Sequence, residues 1–348
     1  MLHSDLTQTR FGGMLEAVLT SSIWCQQRLH EFGCADSPMC RRCGLAQEDE
    51  AHRYWTCIGN RTCDDPRIQS TQHLRHVALA SPELTCFYMR GVPVASQLAC
   101  IPEPPAECCV FSAGAFATPG RIAGGTFGTD GTGGVYTSDA RLRRCAWAIA
   151  QIRPGGSGDV LGVLFGALPC RQTVPRSELW ALVQLLERLC PASPATVYLD
   201  CLPVFKAYSK GREHCLYNSQ MSDMWSQFWA LHAERLAPLR LGWVPSHKSA
   251  QEACELDLPL DAVAANTAAD TAATFAASQC QLSPWYANAV REHDSLVVMV
   301  QDRLAAINME LLSRFGPLRR SPAPPRQVKS AAARLHSLLD VTTLPADL

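Results

Sequence analysis

At 348 residues, 47% hydrophobic and 18% charged, the chain holds enough apolar side chains for two cored domains or one with extensions, which excludes a disordered polymer. Its formal net charge of -1 excludes a uniformly basic body, so any contact with nucleic acid must come from local clusters of Lys and Arg. Seventeen cysteines behind an N-terminus without the basic-then-apolar layout of a signal peptide predict reduced thiols, a nuclear or cytoplasmic setting and some metal binding. No apolar run is long enough to span a bilayer, because the alanine-rich stretch 261–277 is broken by Asn266 and Asp270, so no membrane partner is expected.

Residues 13–29 place Met14, Val18, Ile23 and Trp24 among polar neighbours, the pattern of one or two short amphipathic helices. A dense ligand cluster follows: Cys40-Arg41-Arg42-Cys43, eight residues, His52, four residues, Cys57. A Cys-x-x-Cys knuckle turns two sulfurs toward one point, and the later histidine and cysteine would close a tetrahedral Zn²⁺ shell. Glu48 and Glu50 are expected to solvate the connection. Free thiols are the plain alternative, and Cys34 or Cys63 lies close enough to replace one ligand. The order Cys-Arg-Arg-Cys-Gly, Glu, His, Trp-Thr-Cys resembles the zinc-binding region that follows the reverse transcriptase domain in non-LTR retroelement polyproteins. That resemblance covers residues 1–65, a helical zinc-binding module. The lone Asp64-Asp65 pair has no strand or aromatic residue before it, so no polymerase activity is expected.

From 66 to 121, His73, His76, Cys86, Cys100, Cys108 and Cys109 show no ligand spacing. Pro93, Pro102, Pro104, Pro105 and Pro119 predict an irregular linker with a few short helices.

Residues 122–280 read as a mixed α/β unit. A β-prone segment delivers Asp130 and then breaks into glycines; 144–152 and 160–168 read as the next two strands of an antiparallel meander, joined at Pro154-Gly155. Ser177 is a candidate N-cap for a helix whose Leu179, Leu182, Leu185, Leu186 and Leu189 form one stripe, putting Glu178 in its first turn. Residues 195–199 form a buried strand that ends at Asp200, the edge where α/β sheets collect ligand-binding groups. Helices over 203–210 and 221–236, a fifth strand over 239–244, a loop carrying His247 and a last helix with Asn266 and Asp270 on one face complete the order. The expected fold is a five-stranded mixed sheet with helices on both faces.

The motifs Thr129-Asp130-Gly131, Ser177-Glu178-Leu179, Leu199-Asp200, Trp243-Val244-Pro245-Ser246-His247 and Asn266-Thr-Ala-Ala-Asp270 together resemble the ribonuclease H domain of retroelements. The resemblance implies hydrolysis of the RNA strand of RNA–DNA hybrids with two Mg²⁺ ions, Mn²⁺ being able to replace them. It makes Asp130, Glu178, Asp200 and Asp270 the metal-binding carboxylates and His247 a histidine that assists turnover. The residues alone leave plainer readings open: Asp130 in a turn, Asp200 as a cap, Glu178 on a helix dipole, Asp257 or Asp261 in place of Asp270. An acidic insertion over 251–260 lengthens the interval before Asp270. Lys206, Lys210, Arg212, Arg240 and Lys248 are the thin set of cations available to grip a hybrid. A ribonuclease H fold that has lost catalysis and serves as an interaction module is the alternative, and so is a chain whose zinc module alone binds single strands.

Residues 281–348 read as a helix with Val297, Val300, Leu304, Ile307 and Leu311 at helical spacing, then a Pro- and Arg-rich tail with Arg314, Arg319, Arg320, Arg326, Lys329 and Arg334.

Overall fold

The chain divides into two units, one made of residues 1–97 and 292–348, the other of 98–291. The structure, a computed structural model, describes residues 2–316 apart from 95, 97–99, 105–109, 156, 157, 170, 247 and 249. His247 and the basic tail beyond Gly316 therefore lie outside the described residues.

The first unit begins with α1 (Leu2–Leu19) and α2 (Gln26–Glu31), passes through the cysteine-rich loop, and continues in α3 (Pro66–Gln69), α4 (Arg75–Ala80) and α5 (Thr85–Arg90). Residues 66–90, expected as part of an irregular linker with a few short helices, do carry short helices, but these pack into a core instead of linking. Their apolar positions explain why: Ile68, Leu74, Phe87 and Tyr88 bury themselves with Val18, Tyr54 and Trp55, and the C-terminal segment supplies Val300, Leu304 and Ile307. Asp65 accepts from Arg67 N–H at 2.9 Å and caps α3, which accounts for one member of the Asp-Asp pair as a helix start.

The second unit is a six-stranded sheet, one strand more than expected. Its strands are β1 (Val110–Gly114), β2 (Gly125–Thr132), β3 (Ala146–Ile152), β4 (Val160–Ala167), β5 (Ala195–Leu199) and β6 (Leu239–Trp243), in the order β1-β4-β3-β2-β5-β6. The extra strand, β1, lies in the proline-rich stretch read as linker and pairs antiparallel with β4 at the sheet edge. Its five residues are all exposed, so no alternation of buried and polar positions marked it. Strands β2, β3 and β4 form the antiparallel meander, while β5 runs parallel to β2, and β6 parallel to β5. Each parallel step needs a crossover. The first is α6 (Val174–Arg188); the second holds α7 (Leu202–Ser209), α8 (Arg212–Tyr217) and α9 (Ser222–Ala233). After β6 come α10 (Ala250–Glu255), α11 (Leu260–Cys280) and α12 (Pro284–Phe315).

Strand β3 shows how the two faces differ, since all seven of its residues are buried. Trp147 and Ile149 join the main core with Leu179, Leu182 and Leu186 of α6. Ala146 and Ala148 face the other way, onto Ala272, Ala273, Ala276 and Ala277 of α11. Alanine on both partners lets this helix lie close to the sheet, which is what an alanine-rich sequence gains by packing. Helix α6 begins four residues earlier than expected, capped at residue 173 rather than 177. Thr173 has the extended backbone of a cap and Pro175 sits in the first turn, where its missing N–H costs nothing; Ser177 is inside the helix and donates its hydroxyl to Val174 O at 2.8 Å.

Candidate active site and metal centre

Asp130 is held at the end of β2 between two glycines, each used for close approach. A Cβ on Gly128 would fall 2.0 Å from Ala265 O of α11, and one on Gly131 would fall 2.5 Å from both Glu178 N and Ser177 Oγ of α6. Both helices therefore press against the strand on either side of the carboxylate. Glu178, the fifth residue of α6, comes in over Gly131. Asp200 follows the last residue of β5, which is the neighbour of β2, so the parallel pairing brings its side chain to the same end of the sheet.

One carboxylate oxygen from each of Asp130, Glu178 and Asp200 lies within 4.8 Å of the other two. Asp130 is 5% exposed and Glu178 3%. Burial, then the charges of Asp200 and Asp270, push Asp130 up to about 7, against a smaller opposing pull from the Gly131 N–H. Burial and the charges of Asp130 and Asp200 hold Glu178 well above the usual carboxylate range. Its Oε2 is buried and accepts no hydrogen bond. Three acids this close, with Glu178 Oε2 unpartnered, fit a cation in their midst. The donor set is all oxygen, hard and anionic, which matches Mg²⁺ or Mn²⁺ rather than a softer metal.

Asp270, half-buried on α11, stands outside this tight set, yet its charge contributes to raising both Asp130 and Glu178. Its competitors are accounted for elsewhere. Asp261 accepts from Gly155 N–H at 3.0 Å, tying the helix start to the β3–β4 hairpin, and Asp257 sits exposed in a turn with φ 52°. The acidic insertion folds into α10 and this turn, which absorbs the extra length before α11.

Two neighbours were not among the expected site residues. Asn266, one turn before Asp270 and 5% exposed, donates from Nδ2 to Asp200 Oδ2 at 3.4 Å, while its Oδ1 is buried without a partner. Trp243 Nε1 donates to Asp200 O at 2.9 Å and anchors the backbone under that carboxylate. The four-residue spacing of Asn266 and Asp270 was the available signal for the first; nothing local marks the second. Of the expected cations, Lys206, Lys210, Arg212 and Arg240 are exposed, while Lys248 is paired with Glu252 at 3.0 Å.

In the first unit Cys40, Cys43, His52 and Cys57 each bring a ligand atom to within 4.8 Å of the others. Gly44, with φ 67°, turns the chain after the knuckle, where a side chain would be strained. His52 aims Nε2 at Cys43 Sγ, 3.3 Å away, and its Nδ1 meets Thr56 Oγ1 at 3.2 Å, an outer partner that fixes the ring. Cys40 and Cys57 lie 3.7 Å apart. The Cys40 S–H and the nearby Arg42 charge hold the Cys57 thiol below its ordinary range, against an opposing push from burial. Soft sulfur with one imidazole is a zinc donor set. Cys34 is exposed and outside the cluster, and Cys63 packs against the neighbouring core.

Glu48 departs from expectation: it is 2% exposed and accepts from Arg53 Nε at 2.9 Å and from Gln26 N–H at 3.1 Å, a buried pair rather than a solvated charge. Arg42, the second arginine of the knuckle, is likewise internal, bonded to Arg53 O and Glu310 Oε2 at 2.9 Å each. A buried arginine in a Cys-x-x-Cys spacer has no mark that separates it from a surface one.

No protein-family model and no curated protein matches the chain. Among solved structures it is similar to the N-terminal RNase H domain of a Mycobacterium tuberculosis protein, solved fused to maltose-binding protein. That match has 18% identity, covers 44% of this chain and 95% of that one, and has a TM-score of 0.32. LC9-RNase H1, described as a type 1 RNase H with the type 2 active-site motif, matches at 13% identity over 47% of this chain and 77% of its own, with a TM-score of 0.34. RNase H1 of the archaeon Halobacterium salinarum matches at 16% identity over 44% and 97%, with a TM-score of 0.30. No helix among the described residues is long and apolar enough to cross a membrane.

Proposed function

We propose that the second unit is a divalent-metal-dependent ribonuclease H, an endonuclease that hydrolyses the RNA strand of RNA–DNA hybrids. In this reading it is carried on a retroelement-derived chain whose N-terminal module is held by a structural zinc. The observation that carries it is the meeting of Asp130 of β2, Glu178 of α6 and Asp200 at the end of β5, with Glu178 Oε2 buried and without a donor.

Asp130, Glu178 and Asp200 would hold a pair of Mg²⁺ or Mn²⁺ ions, with Asp270 completing the second site. Bound there, such ions supply the Lewis acidity that makes water a nucleophile at neutral pH and balances charge on the phosphate. The protein's own part is placement. Asn266 and Trp243 fix Asp200 by its Oδ2 and its backbone carbonyl. Glu178, rigid in α6, would orient water and read the ribose 2′-hydroxyl, the group by which an RNA strand differs from DNA. His247 would assist turnover by delivering a proton to the leaving 3′-oxygen, a task suited to imidazole. Exposed Lys206, Lys210 and Arg212 on the α7–α8 segment would meet the hybrid backbone. In this reading the chain lies in a reducing compartment, nuclear or cytoplasmic, where thiolates are available to hold zinc.

The test is cleavage of an end-labelled RNA–DNA hybrid with Mg²⁺, with chelator, and with Asp130→Asn or Asp200→Asn. Metal-dependent cutting of the RNA strand alone, reduced at least about 100-fold by either substitution, is expected. A folded, metal-loaded protein that leaves the hybrid intact would overturn the assignment.

A further inference from the structure

A second concave surface lies in the first unit, away from every residue used so far. It is a cleft of about 410 Å³ lined by Arg61, Gln69, Gln72, His73, Arg75 and His76. Two guanidinium groups and two imidazoles face it, and no carboxylate lines it. Among the described residues none of these four side chains has an ion pair or hydrogen bond, although the nearest acidic residue in sequence, Asp64, is only three positions from Arg61. By contrast Arg67, on the same short helix as Gln69, is neutralised by Asp65 at distances of 2.6 Å and 3.0 Å. Cations left unpaired on one side and paired on the other make a directed positive surface.

The wall of this cleft is rigid. Gln69 donates its amide to Asn60 O at 3.2 Å and Arg61 O at 3.3 Å, and Gln72 donates to Asn60 O at 2.6 Å, so both glutamines clamp the turn that carries Arg61. Beneath them Arg303, wholly buried, bonds Ile68 O at 2.7 Å and Thr71 Oγ1 at 3.0 Å. Clamping of this kind lowers the entropy lost when a ligand is bound. The cations themselves stay exposed or half-exposed at the rim.

We propose that this cleft is a binding site for the phosphodiester backbone of a single nucleic-acid strand. Guanidinium forks pair two oxygens of one phosphate, and both guanidinium and imidazole planes stack on bases, so the four groups suit a strand better than an isolated anion. The site is independent of the carboxylate centre, and it gives the first unit a role beyond holding zinc.

Fluorescence anisotropy with a labelled twelve-nucleotide single-stranded RNA, using the full zinc-loaded chain without Mg²⁺, tests it across a series of salt concentrations. Arg61→Ala with Arg75→Ala should weaken binding about tenfold or more and reduce the slope of log affinity against log salt by about 1 to 1.5, as for two lost phosphate contacts on a single strand. Arg61→Lys with Arg75→Lys should keep most of the slope. His73→Gln with His76→Gln, at two exposed positions where folding is not at stake, should weaken binding about three- to fivefold. Inorganic phosphate at millimolar concentration should fail to compete. Unchanged affinity and slope in folded variants would overturn the proposal, and so would displacement by phosphate, which would make this a small-anion site. Because the readout is binding without Mg²⁺, it stands or falls separately from cleavage of the hybrid.

Discussion

Removing the charge of Asp130 should stabilise the metal-free protein at alkaline pH. Its folded pKa of about 7 lies above the unfolded value of about 3.9, so between those limits the folded chain keeps a proton that the unfolded chain has lost. Stability therefore falls as pH rises through that window, and the penalty is complete above it. In chelator, Asp130→Asn is expected to raise the melting temperature at pH 8 by several degrees and to change little at pH 4. Added Mg²⁺ should erase the gain by relieving the wild type. Equal melting of the two proteins at pH 8 would mean that Asp130 is neither desolvated nor repelled. Asn266 makes the second argument at this scale. It orients Asp200 and leaves its own Oδ1 buried, so Asn266→Ala should lower cleavage of the hybrid by about 10- to 100-fold while costing about 1 kcal/mol in urea denaturation. Normal turnover in Asn266→Ala would remove it from the site.

Two elements, α6 and α11, are positioned by what β2 lacks. Gly128 and Gly131 leave room for backbone atoms of α11 and α6 where any side chain would collide. Gly128→Ala is expected to cost about 3 kcal/mol or more, because the atom met at 2.0 Å is a helix carbonyl that cannot swing aside. Chemical denaturation measures this directly; a loss below about 1 kcal/mol would show that α11 can shift off the sheet. The helix in question reads as an undistinguished alanine run. Its burial against Ala146 and Ala148 is legible only once the strand is seen to be covered on both faces. Strand β1 was hidden for the opposite reason, since an exposed edge strand has no buried face to pattern.

At the scale of the whole molecule, the cysteine cluster and the buried polar network around it belong to one unit, with Arg42, Glu48, Arg53, Arg303 and Asn308 bonded inside it. Buried polar groups bonded to one another across distant positions depend on one backbone arrangement, although Arg42 Nε and one Arg303 guanidinium nitrogen remain unpartnered. Stripping zinc with a high-affinity chelator, or substituting His52→Ala, should release about one equivalent of metal and lower the unfolding temperature of the first unit. The change is read by far-UV circular dichroism and by faster alkylation of Cys40 and Cys57. Thiols that stay protected after metal release would show that packing alone holds the loop.

The sequence by itself determined which residue types lie at the candidate sites, and most of the scaffold. The period-2 runs, the helix stripes and the strand-ending carboxylates placed Asp130, Glu178 and Asp200 at the right ends of the right elements, and four ligand-type residues at knuckle spacing marked the metal loop. These signals are local, so a single chain carries them. Tertiary structure alone decided which acids meet, because parallel pairing of β2 with β5 and the approach of α6 over Gly131 are contacts between distant positions. It also decided that Glu48 is buried while Asp257 is exposed, that Asn266 reaches Asp200, and that Arg61 and Arg75 share one cleft. A charged side chain has no local mark of its partner: solvent, counter-charge or ligand is assigned only when the chain has closed around it.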